Sequence, residues 1–107
     1  MRRILDSHGD RGAALWATEV GWSDRGPDGR FSLGRQGQGR AIASVFPLLW
    51  RARRALRLHG LVYFNWRDAP PYPGGKDFWG LHTGLLTQGG APKPALAAAR
   101  RGLAQLR

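Results

Sequence analysis

Two short apolar runs and two longer amphipathic stretches organise this chain. The run ALWATEV, 14–20, is bounded by Gly12 and Gly21 and is rich in strand formers, which predicts a buried strand. Side chains alternate along a strand, so Leu15, Ala17 and Glu19 are expected on one face and Trp16, Thr18 and Val20 on the other. LVYFNW, 61–66, is denser in β-branched and aromatic residues and predicts a second strand. Between them, Ile42, Val45, Phe46, Leu49, Ala52 and Leu56 recur at threes and fours, which predicts a helix over 36–58. Pro47 interrupts that pattern; inside a helix it loses a hydrogen bond and clashes with the preceding turn, at a cost of about 3 kcal/mol. A kink or a pair of helices is therefore expected there. Gly60 reads as the terminator of this stretch.

The flanks complete the pattern. Residues 1–9 read as the last turns of a helix that begins before this chain does, stopped by Gly9. Residues 94–106 read as a closing helix, with Pro94 in its first turn and Leu96, Ala99, Leu103 and Leu106 on its apolar face. The segment between Trp66 and Pro94 is longer than an ordinary connector, and its aromatics and leucines argue for an ordered, functional loop. The order is helix, strand, helix, strand, helix. Strands joined through a helix pair in parallel with a right-handed crossover. Parallel strands are normally covered on both faces. Two strands and three helices do not achieve that, so the pattern predicts part of a larger α/β unit.

Composition narrows the possibilities. The 107 residues suffice for one small domain. Without cysteine there are no disulfides or thiolate metal sites, and the three histidines lack metal-ligand spacing. His8 and His59 sit near predicted helix ends and read as structural. No apolar run approaches the roughly 18–20 residues of a membrane span, so no membrane partner is expected. The first residues, MRRILDSHGD, are too short and polar for a secretory signal. The formal net charge of +10 comes mostly from arginine. Such a balance often accompanies nucleic acid. Here, however, no recognition module is present, GRQGQGR does not repeat, and Arg53, Arg54, Arg57, Arg100 and Arg101 fall in helical stretches. No nucleic-acid partner is expected.

Glu19 is the only glutamate in the chain, and it ends an apolar run. TEVGW at 18–22, YFNWRD at 63–68, DFWGLHTGLL at 77–86 and GGAPKPALAA at 89–98 together resemble the C-terminal part of clan A retaining glycoside hydrolases. The likeness is to the family 39 and family 5 groups, enzymes of cellulase and xylosidase type, and covers nearly the whole chain. It implies the last two βα units, strands seven and eight with their helices, of an incomplete (β/α)8 TIM barrel. It makes Glu19 the catalytic nucleophile, at the C-terminal end of strand seven where such barrels keep their active sites, and turns Leu15 and Ala17 with it toward the barrel interior.

The same resemblance makes Trp66, at the end of strand eight, a stacking floor for the sugar, with a cis peptide often following at Trp66–Arg67. Trp22 and Trp79, in the loops after the strands, either line the sugar cleft or pack those loops down. His82 either reaches the cleft or packs its loop. Asn65 points away from the barrel axis, and Asp68 either pairs with Arg67 or caps the loop. The implied activity is hydrolysis of O-glycosyl bonds in an oligo- or polysaccharide by double displacement, with no cofactor. An extracellular setting suits the family.

A retaining mechanism needs a second carboxylate about 5–5.5 Å from the first. This chain has no second glutamate, and the aspartates at 10, 24, 28, 68 and 77 lie in loops. The chain is thus expected to be a fragment, inactive alone, unstable and prone to self-association without the remainder of the barrel. Two other readings of the residues are a noncatalytic carbohydrate-binding fragment that uses the tryptophans, and a basic nucleic-acid binder.

Overall fold

The computed structural model describes residues 1–106. It is a small mixed α/β domain. Helix α1 spans Arg2–Ser7, strand β1 Leu15–Val20, helix α2 Gly34–Leu56, strand β2 Leu58–Tyr63 and helix α3 Pro94–Ala104. Single 3₁₀ turns occur at Gly29–Phe31 and Trp79–His82. β1 and β2 pair in parallel, with Leu15 opposite Leu58 and Val20 opposite Tyr63. The loops that follow the two strands therefore leave from the same end of the sheet. The backbone N–H of Phe64 continues the ladder by donating to the Val20 carbonyl at 2.9 Å.

One face of the sheet carries the core. Ile42, Val45 and Phe46 of α2 pack with Ala95, Ala98 and Ala99 of α3 and with Leu85, while Val20, Leu61 and Tyr63 reach this cluster from the strands. Small residues let the helices close: a Cβ on Gly102 would lie 2.9 Å from the Phe46 ring. The opposite face is bare. Trp16 is 61% exposed and lies across Gly60, and Val62 and Phe64 beside it are also exposed.

Several expectations need correction. α2 is one continuous helix with Pro47 inside it, so the alternative of two helices does not hold. It ends at Leu56 because Arg57 takes a left-handed conformation, φ 50°, so the turn that Gly60 was expected to make is made three residues sooner. β2 then begins at once and ends at Tyr63, and Trp66 lies three residues beyond it. His59 and Gly60 belong to β2, and His59 is not at a helix end. The cis peptide bond is Phe64–Asn65, not Trp66–Arg67.

The strand faces change too. The register of β1 shifts between Ala17 and Val20. Thr18 and Glu19 are consecutively exposed, and Val20 turns back to the core. A bulge of this kind breaks strict alternation. Glu19 thus shares its exposure with Trp16 and Thr18, and Leu15 and Ala17 lie on the more covered side. Among the described residues, no helix is long and apolar enough to cross a membrane.

Candidate functional site

The end of the sheet where both strands finish carries the chain's polar chemistry. Glu19 lines a hollow of ≈ 300 Å³ with Gly21, Phe64, Phe78, Trp79 and Gly80. No hydrogen bond or ion pair engages its carboxylate among the described residues. Gly21 is required there, because a Cβ would collide with the Phe64 carbonyl oxygen. Phe78 and Trp79 meet edge to face at 6.4 Å. Phe31 lies 6.0 Å from Trp79, and Tyr72 stacks on Phe78 at 5.9 Å. All four rings remain exposed, so one wall of the hollow continues outward as aromatic surface.

The sequence-expected site residues divide. Trp79 stands with Glu19 in the hollow. Trp66, 61% exposed, does not line it. Trp22 packs against the helical core instead, and its carbonyl accepts a 2.9 Å hydrogen bond from Gln38 Nε2. His82 is only 4% exposed, and both ring nitrogens are engaged. Its Nδ1 accepts from Arg25 Nε at 3.1 Å, and Nε2 lies 2.7 Å from Asp77 Oδ1. An Nδ1 that accepts requires the proton on Nε2, so this imidazole is neutral and donates to Asp77. Asn65 Oδ1 accepts from the backbone N–H of Trp66 at 2.7 Å.

Beneath these loops is a buried ionic cluster that sequence reasoning missed. Lys93 Nζ lies 2.8 Å from Asp68 Oδ1 and 3.1 Å from Asp24 Oδ2, and it donates to the His82 carbonyl. Asp68 pairs with this lysine, and not with Arg67, while also accepting from the Gly84 backbone N–H at 2.9 Å. Asp24 comes from the loop after β1, and Asp68 and Lys93 from the loop after β2. The cluster therefore ties together the two loops that frame Glu19. Tyr63 adds a second tie by donating to the Thr83 carbonyl at 2.8 Å. Burial pushes its phenol well above the usual tyrosine value, and the nearby Asp68 and Asp24 charges act in the same direction, with Gln38 opposing.

No group of three or more metal-ligating side chains occurs among the described residues. No protein-family model matches the chain, and no curated protein matches it in sequence.

Proposed function

We propose that this chain supplies the nucleophile and part of the sugar cleft of a retaining glycoside hydrolase of the (β/α)8 kind. The observation that carries this reading is the setting of Glu19. In a chain with 17 lysines and arginines, this carboxylate ends a parallel strand unpaired, in a hollow walled by Phe64, Phe78 and Trp79. An aromatic wall suits the C–H-rich face of a pyranose. A carboxylate held beside it can attack the anomeric carbon, forming a glycosyl ester that water later cleaves. Trp79 and Phe78 take the stacking role in this geometry. The bare sheet face carrying Trp16, Val62 and Phe64 supports further barrel strands as its natural cover.

The test exploits a leaving group that needs no acid. The chain is incubated with a 2-deoxy-2-fluoro glycoside bearing a dinitrophenolate leaving group, and its intact mass and peptides are read. One covalent sugar on Glu19, absent from Glu19→Gln, is the expected result. Hydrolysis of an unactivated glycoside is not expected, because this chain provides no acid/base glutamate. Labelling elsewhere, or none with any of several sugar configurations, overturns the reading. Reversible sugar binding that persists unchanged in Glu19→Gln, without any adduct, would favour a noncatalytic carbohydrate binder.

A further inference from the structure

A second hollow, of ≈ 480 Å³, is lined by Arg25, Pro27, Pro71, Asp77, His82 and Gln88. Its chemistry is set by a relay of three side chains. Asp77 accepts from His82 Nε2, and His82 Nδ1 accepts from Arg25 Nε. Arg25 thus has its inner nitrogen fixed by a buried ring. No other hydrogen bond or ion pair engages its guanidinium among the described residues, and the residue is exposed. Its two terminal amino groups form the fork that matches a planar oxyanion bidentately.

The imidazole has a specific electrostatic consequence. A direct Arg25–Asp77 pair would hold the arginine but neutralise it and use up the fork. A neutral histidine between them holds the guanidinium in place and keeps its two terminal amino groups out of a direct pair with Asp77. Asp77 meanwhile accepts the Nε2 proton at 2.7 Å, and the whole chain is strongly cationic. Pro27 and Pro71 supply apolar walls, and Gln88 supplies an amide for a neighbouring hydroxyl.

We propose that this hollow is a carboxylate-binding site in which Arg25 makes the contact and His82 is a positioning residue. That the carboxylate is carried by a sugar rests on the glycoside reading above; the carboxylate site itself does not. The substrate class is then an acidic glycan, with a uronate unit on Arg25 and another sugar beside Glu19.

The full chain is titrated with glucuronate, glucose and acetate, followed by the NMR shift of Arg25 Nε and by calorimetry. Glucuronate should move the Arg25 signal and bind at least about tenfold more tightly than glucose, the gain of one charge-assisted bidentate contact. Arg25→Gln should lose that advantage, Arg25→Lys should keep only part of it, and Glu19→Gln should retain it. His82→Phe should weaken glucuronate while leaving glucose binding unchanged. Acetate that matches glucuronate identifies a site for small carboxylates and removes the sugar from the assignment. Equal binding of glucuronate and glucose, or an Arg25 signal unmoved in the unmutated chain, overturns the proposal even if a variant fails to fold. Glucuronate binding without any Glu19 adduct sinks the hydrolase reading alone.

Discussion

Lys93 and Asp68 form an ion pair at 2.8 Å with each side chain only 1% exposed. A second buried carboxylate, Asp24, lies 3.1 Å from the same ammonium. Removing the lysine leaves Asp68 buried without its counter-charge and leaves Asp24 only the longer 3.6 Å contact with Arg35, and breaking such a pair typically costs about 3–5 kcal/mol. A domain of ordinary stability has only about 5–15 kcal/mol in total. Lys93→Met is therefore expected to shift the urea midpoint severely. Arg100→Ala, on the exposed side of α3, should stay within about 0.5 kcal/mol of the parent. Equal midpoints for the two variants would show that the cluster does not hold the loops.

Tyr63 gives the fold an alkaline limit. Its phenol is raised in the folded chain by burial, so the unfolded chain loses this proton first, near the ordinary value of about 10. The associated stability is complete below that pH and falls as pH rises from there toward the folded value. Unfolding by urea at a series of alkaline pH values should show this decline, and Tyr63→Phe should flatten it. Absorbance should show the Tyr63 phenol of the folded chain ionising only above the usual tyrosine range, a step that Tyr63→Phe removes. A Tyr63 step within the ordinary tyrosine range in the folded protein would contradict the assignment.

The parallel strand–helix–strand unit was legible because it is written in local patterns: two apolar runs and the stripe from Ile42 to Leu56. The faces of β1 were not. Alternation assigns Glu19 to the side of Leu15 and Ala17, but the register shift before Val20 reverses it, and no residue in ATEV marks a bulge. The β2 boundary was missed for a similar reason, since Arg57 takes the left-handed position where a glycine was expected. The Lys93 cluster joins residues from three distant points and has no spacing to recognise. A signal did exist in an arginine-rich chain: Lys93 is one of two lysines, and it sits between two prolines. A lysine needs less room than an arginine between two acids.

Gly21 holds the mouth of the Glu19 hollow at its present width. A Cβ there would overlap the Phe64 carbonyl oxygen, and backbone, unlike a side-chain tip, does not rotate away. Gly21→Ala must therefore spread the ends of β1 and β2, at a cost of about 1–3 kcal/mol typical of overpacking. Gly12→Ala, where a Cβ meets nothing within 4 Å, is the control and should be close to neutral. Thermal melts of the two variants check the difference. In Gly21→Ala the Glu19 adduct should also form more slowly, because the carboxylate moves relative to Trp79.

The uncovered sheet face should make the chain associate with itself. Trp16, Val62 and Phe64 present adjoining apolar surface, with Trp16 61% and Val62 50% exposed. Exposed apolar patches of this kind mark interaction surfaces or aggregation liabilities. Placing a charge on each strand, Trp16→Lys with Val62→Lys, opposes that association while leaving the α2–α3 core untouched. Sedimentation velocity is expected to show concentration-dependent assembly for the parent and a smaller species for the double variant. The folded stability of the two should agree closely, because neither side chain is buried in the monomer. A parent that sediments as a monomer at every concentration, with no binding of an apolar dye, would mean that this face needs no cover and would remove one support for a barrel.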